Sequence, residues 1–209
     1  GKLFFTSVRD PLELYRSLHA FGQEGKGTLR KRLREAGLVD TRALYGKRPG
    51  CFETWLDFML APENAPHLDP DYTPEIAALV GPMSFRFLRL SLYRPRPKLA
   101  KAAQKGTKQA LIRLYRSQKL HGPVLRNETL NADLAALIES DLAPHLADPE
   151  AALAELRAGI RRVNASKRED RDSRPALPGA TLARLRKREW FFYRELGYGP
   201  VMDKRKVAG

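Results

Sequence analysis

The residues with the most chemical promise stand near the N-terminus, in the run Val8-Arg9-Asp10-Pro11 and at Ser17. Asp10, Pro11 and Glu13 make a helix start, with Asp10 as cap, Pro11 at the first helical position and Glu13 closing a capping box. The first amides of a helix have no partner inside it, and the aligned peptide dipoles make that end electropositive. An anion is favoured there, and Arg9 adds a planar guanidinium that can grip a phosphate with two N–H groups. Ser17 follows Asp10 by about two helical turns, so it returns to the same helix face and can reach the same anion. The structural alternative is that Arg9 pairs with a helix-cap carboxylate such as Asp10.

These side chains need a strand, a tight corner and a helix to hold them. Residues 3–8 (LFFTSV) are apolar at both ends and on both faces, as in a buried strand of a parallel sheet covered by helices. Leu12, Tyr15, Leu18 and His19 continue at helical spacing, and Gly22, Gly25 and Gly27 mark the loop beyond. Further helices are expected over residues 28–36, 52–60, 76–80, 85–93 and 98–119, with a Pro-rich loop over 62–74. Val124, Leu125 and Arg126 read as a second short strand, after which Asn127 can cap a helix through Leu130, Leu134, Leu137 and Ile138. Residues 151–158 are helical in pattern and 159–178 form a polar loop. Thr181 caps a last helix through Leu185, Phe192 and Leu196 to the Gly197 stop. Trp190, Phe191, Phe192 and Tyr193 on that helix read as core packing. The expected architecture is α/β, a small parallel sheet flanked by many helices, in one domain over residues 1–209.

The stretch from Phe4 to Ser17, an apolar strand, Arg-Asp-Pro and a Ser eight residues after the Arg, resembles the 3′-phosphate-binding segment of sulfotransferases that use 3′-phosphoadenosine 5′-phosphosulfate (PAPS). Later stretches are similar to bacterial members of the carbohydrate-type branch: Cys51-Phe52-Glu53-Thr54-Trp55-Leu56, residues 81–88 (GPMSFRFL), residues 125–134 (LRNETLNADL), Val163-Asn164-Ala165-Ser166 and residues 191–198 (FFYRELGY). The resemblance implies a P-loop-NTPase-like sulfotransferase fold and PAPS as donor. It gives Arg9 and Ser17 to the 3′-phosphate, and Asn164, Ser166 and Lys167, beside Arg168, to a late loop closing over the nucleotide. The family's 5′-phosphosulfate turn and its catalytic base precede the Arg-x-Pro segment. Only eight residues stand before Arg9 here, and Gly46-Lys47-Arg48-Pro49-Gly50 lacks a preceding strand. The expectation is therefore an N-terminally truncated sulfotransferase domain that lacks the first βα unit and is inactive as it stands. The implied reaction is in-line sulfuryl transfer to a hydroxyl acceptor, which needs no metal ion. His19, His67, His121 and His145 lie without ligand spacing and receive no role.

Thirty-eight Lys and Arg against 24 Asp and Glu give a net charge of +14. No acidic residue lies between Glu75 and Glu128, so nearly the whole excess sits in that quarter of the chain. On one continuous helix, Lys98, Lys101, Lys105, Lys108, Arg116 and Lys119 would share a sector of about 80°, although Gly106 and Thr107 could break it. Such a stripe is either a docking strip for a polyanion, whether a sulfated or uronic glycan, nucleic acid or anionic lipid headgroups, or a solvated helix face. Two other classes stay open. One is a non-catalytic nucleic-acid-binding helical module, which no RNA-binding or helix-turn-helix signature supports; the other is a nucleotide-binding transferase such as a kinase, which would prefer ATP to PAPS. The balance of 43% hydrophobic and 30% charged residues excludes disorder and collagen, and no apolar run is long enough to span a bilayer. A single cysteine, Cys51, excludes an intrachain disulfide and a cysteine-built zinc site and suits a reducing compartment. A bacterial cytoplasmic protein is expected from this and from the Ala, Arg and Leu usage.

Overall fold

The computed structural model describes residues 3–35, 37, 40–46, 48–159 and 176–198. Among these, helix dominates, and the strands pair as one two-stranded parallel sheet. In chain order the elements are β1 (Thr6–Val8), α1 (Pro11–Gln23), α2 (Thr28–Glu35), α3 (Thr41–Leu44) and α4 (Cys51–Leu60). Then come α5 (Ala65–Leu68), α6 (Pro74–Leu79), α7 (Pro82–Ser91), α8 (Pro95–Gln104), α9 (Lys108–Gln118) and β2 (Val124–Arg126). The remainder is α10 (Leu130–Leu137), α11 (Pro149–Ala158), α12 (Gly179–Arg188) and α13 (Trp190–Glu195). The chain divides into two compact units, residues 1–10 with 121–174, and residues 11–120 with 175–209.

The first unit is built on the sheet. Thr6 pairs with Val124, Ser7 with Leu125 and Val8 with Arg126, and the Asn127 amide donates to Val8 O at 2.8 Å to close the ladder. The strand expected over residues 3–8 is shorter than its apolar pattern: β2 offers only three residues, so the ladder starts at Thr6, and Leu3, Phe4 and Phe5 are exposed. The helix after β2 is not capped by Asn127. Its cap position falls on Thr129, and Asp133 reaches back to accept from the Arg126 amide (2.6 Å) and the Thr129 hydroxyl (3.0 Å). One turn of π-helix, Ile138–Leu142, continues α10, and α11 starts with Asp148 accepting the Ala151 amide at 2.8 Å and Pro149 in the first turn. Ile138, Leu153 and Leu156 form this unit's small core, covered by Leu134, Ala135, Leu142 and Ala152.

The second unit is helical, and its core gathers aromatic rings around α1, α4, α7 and α13. Tyr15 meets Trp55 edge to face at 6.0 Å between centroids, and Tyr72 stacks on Phe85 at 4.7 Å. Phe191 packs edge to face on Tyr115 at 5.1 Å, in a cluster with Phe87 and Phe192, as the Trp190 to Tyr193 run predicts. Two helices expected to be continuous are broken. Residues 98–119 divide into α8 and α9 at Gly106, whose φ of +64° suits glycine alone, and Thr107 restarts the helix by accepting the Ala110 amide. The C-terminal helix breaks at Glu189, which leaves helical geometry at φ −93°, ψ 26°.

That break serves a clamp on the turn between α6 and α7. Helix α6 ends there with carbonyls lacking helical partners and α7 begins there with amides lacking them. Arg188 donates to Ala77 O (2.6 Å) and Val80 O (3.2 Å), and the Trp190 indole donates to Leu79 O (2.7 Å). Glu189 faces the other way: its carboxylate accepts from the Met83 amide (3.2 Å), the Ser84 amide (2.8 Å), the Ser84 hydroxyl (2.7 Å) and the Tyr15 hydroxyl (2.5 Å). The cation thus sits on the negative end of one helix and the carboxylate on the positive end of the next. Gly81 is the hinge of the arrangement, since a Cβ there would lie 2.1 Å from Glu189 Oε1. Burial pushes the Glu189 carboxyl above its usual range, and the four donors pull it back in part.

Truncating Glu189 to Ala strands two amides and two hydroxyls in a fully buried site. The expected loss is about 3 kcal/mol or more of unfolding free energy, read from urea denaturation. A loss below about 1 kcal/mol would mean that water or a shifted α7 replaces the carboxylate.

Candidate functional site

The Arg9 corner lies at the C-terminal end of β1, where open parallel sheets collect their ligands. Arg9 is half-buried and follows Val8 directly. The Asp10 amide, one of the groups an anion would use, donates to Glu128 Oε1 at 2.8 Å. A carboxylate from the β2 to α10 connection therefore already sits at this amide, which speaks for an anion-seeking corner that the chain itself partly satisfies.

Ser17 lies half-buried on α1, in the second unit, whereas Arg9 belongs to the first. Around Ser17, Tyr15 is fully buried on the Glu189 carboxylate and Arg16 pairs with Glu13 at 2.8 Å. Asn164, Ser166 and Lys167 lie outside the described residues. His19, to which the sequence gives no role, is a core residue. Its Nε2 is 2.9 Å from Leu44 O, its ring stacks on Tyr45 at 5.5 Å, and Phe52 and Trp55 close two other sides.

The basic stripe does not form one ribbon. It is split between α8 and α9 at Gly106, and Arg116 is held by Glu195 through two hydrogen bonds of 2.9 and 3.2 Å. Lys98 lies over Tyr93, Lys108 over Trp190 and Lys119 over Tyr115, each 4.9 to 5.7 Å from the ring centroid. Lys108 is pushed below its usual range, by partial burial first and then by the charges of Lys187 and Arg194. Lys101, Lys105 and Arg113 remain exposed.

Geometry brings together a set of cations that spacing does not reveal. A cleft of about 420 Å³ in the second unit is lined by Arg30, Arg32, Arg86 and Arg89, over an apolar floor that includes Met59 and Phe85. Arg86 and Arg89 sit on adjacent turns of α7, a signal visible in the sequence, but Arg30 and Arg32 reach the cleft from α2 only through the packing of α2 on α5. Among the described residues no three His, Cys, Asp or Glu side chains gather as metal ligands would, and no helix is long and apolar enough to cross a membrane.

Compared with protein-family models, curated proteins and solved structures, the chain matches none.

The burial of His19 generates a pH dependence. Desolvation lowers its pKa from 6.5, against a smaller opposing effect of the Leu44 carbonyl. The unfolded chain therefore takes up this proton at higher pH than the folded one, so stability present above pH 6.5 is lost as pH falls. Thermal melts between pH 7.5 and about 5 are expected to show a fall in Tm that is shallower in His19→Gln. Equal slopes would place the acid sensitivity elsewhere.

Proposed function

We propose that this protein is a PAPS-dependent sulfotransferase that transfers the sulfuryl group to an acceptor hydroxyl. The observation that carries the reading is the Arg-Asp-Pro run at the end of a parallel strand, with a helix beginning at Pro11 and Ser17 eight residues beyond Arg9. Arg9 and Ser17 hold the donor's 3′-phosphate in this proposal, the guanidinium by charge-assisted hydrogen bonds and the hydroxyl as a neutral donor. The bond between sulfur and the 5′-phosphate oxygen breaks as the acceptor oxygen bonds to sulfur. The acceptor proton passes to a base, leaving adenosine 3′,5′-bisphosphate and a sulfate ester. Preorganised donors act where charge grows on the leaving phosphate. The acceptor class proposed is a carbohydrate hydroxyl, with the exposed Lys101, Lys105 and Arg113 suited to an anionic glycan. Asn164, Ser166 and Lys167 complete the donor site in the same proposal.

Calorimetry of the purified chain with adenosine 3′,5′-bisphosphate and with 5′-AMP tests the reading. A preference of about tenfold or more for the bisphosphate, abolished in Arg9→Ala, is expected from the loss of charge-assisted bonds to one phosphate. Glu128→Gln is expected to strengthen bisphosphate binding, because it removes the carboxylate charge at the Asp10 amide. Equal affinity for the two nucleotides, or a preference indifferent to Arg9, overturns the assignment; tighter binding of ATP than of the bisphosphate favours a kinase.

A further inference from the structure

The cleft of the second unit collects positive charge that the protein does not neutralise. Lys26 at its edge pairs with Glu24 at 2.8 Å, and Arg89 pairs with Asp69 at 2.7 Å and lies 3.6 Å from Asp71. Arg30, Arg32 and Arg86 have no carboxylate partner among the described residues. Arg30 and Arg32 are half-buried and use one nitrogen each on backbone carbonyls: Arg30 Nη1 donates to Gly22 O at 2.7 Å and Arg32 Nη1 to Leu68 O at 2.5 Å. A carbonyl fixes the direction of a guanidinium without cancelling its charge, so both forks are oriented in advance and keep donors to spare. Arg86 is exposed on α7, one turn before Arg89.

Apart from Thr28 and the Asp69 that pairs with Arg89, the rest of the lining is apolar or aromatic. Tyr45 carries Arg30 above its ring, 5.5 Å from the centroid, and rests on Gly22 so closely that a Cβ there would fall 2.2 Å from the ring. Met59, Tyr72 and Phe85 form the floor, and Phe21, 45% exposed, stands at the mouth. A volume of about 420 Å³ accommodates one small organic molecule. The neighbouring cavity of about 290 Å³ makes the contrast: it shares Arg89 and Phe85, but its own Arg96 is paired with Asp71 at 2.7 Å. The charge excess therefore belongs to the larger cleft.

We infer that the cleft lined by Arg30, Arg32 and Arg86 binds a small organic anion with a flat apolar body, the anionic group on the guanidiniums and the body on Tyr45, Met59 and Phe85. Oriented guanidiniums recognise a carboxylate, sulfate or phosphate, and the floor recognises an aromatic or alicyclic ring. Neither Arg9 nor Ser17 lines this cleft, so the inference stands apart from the donor site.

The test uses naphthalene-2-sulfonate as probe, with naphthalene-2-methanol as its neutral counterpart and inorganic sulfate as the anion without a ring. Calorimetry at low salt is expected to give the sulfonate about tenfold tighter binding than the alcohol and than sulfate, the difference fading as salt is added. Arg86→Ala, at an exposed position, is expected to weaken the sulfonate about fivefold. Arg30→Met weakens it further, and Arg157→Ala on α11, exposed and outside the cleft, leaves it unchanged. Amide shifts of Tyr45, Phe85 and Arg86 on titration give a second readout that needs no variant. Equal affinity for the alcohol, equal affinity for sulfate alone, indifference to Arg86→Ala, or no binding of the sulfonate each overturns the inference.

Discussion

One buried carboxylate holds the second unit in register. Glu189 has no exposed surface, yet four donors converge on it from α1 and the first turn of α7. The cost of taking a carboxylate out of water is offset only because every lone pair finds a donor and the positive end of a helix faces it. Its neighbours on the chain, Arg188 and Trp190, satisfy the carbonyls at the end of α6, so three consecutive residues serve both sides of one turn. The close approach leaves room for glycine alone at position 81. Because α7 also carries Phe85, Arg86 and Arg89, the clamp that fixes this helix fixes one wall of the cationic cleft.

The two concentrations of positive charge have different physical standing. Along α8 and α9 the cations are mostly exposed, several rest on aromatic rings, and one is taken up by Glu195, which is how a protein rich in Lys and Arg solvates a surface. In the cleft, arginines are directed by carbonyls and packed against rings, and like charges are brought together with too few carboxylates to balance them. Such an arrangement is unfavourable without counter-charges, and the lining supplies one carboxylate, Asp69, which is already paired with Arg89. At the Arg9 corner the situation is reversed, since Glu128 already supplies a carboxylate to the Asp10 amide.

Much of the local structure was written in short patterns. Both strands, the helix start at Pro11, a helix over residues 151–158 and the burial of the Trp190 to Phe192 run follow from apolar spacing and helix-start chemistry, though that helix begins earlier, at Pro149 after the Asp148 cap. Where reading by pattern failed, a tertiary partner decided. Residues 3–5 look like buried strand but stand outside the three-residue ladder with β2, where Phe4 O accepts the Gly122 amide (2.9 Å) and the side chains stay exposed; the C-terminal helix breaks because Glu189 turns inward to four donors from elsewhere in the fold.

The same division holds for the candidate sites. Arg9, Asp10, Pro11 and Ser17 are near one another along the chain, so the sequence by itself, through helix-start chemistry and the resemblance of this segment, was enough to raise the expectation of an anion site there. The cleft arginines come from α2 and α7, separated by more than fifty residues. Arg30 and Arg32 resemble any surface arginines until Gly22 O, the Tyr45 ring and Leu68 O orient them. Only the tertiary structure could decide that these charges share one apolar cavity, because that depends on which carbonyls, rings and carboxylates the fold sets beside each guanidinium.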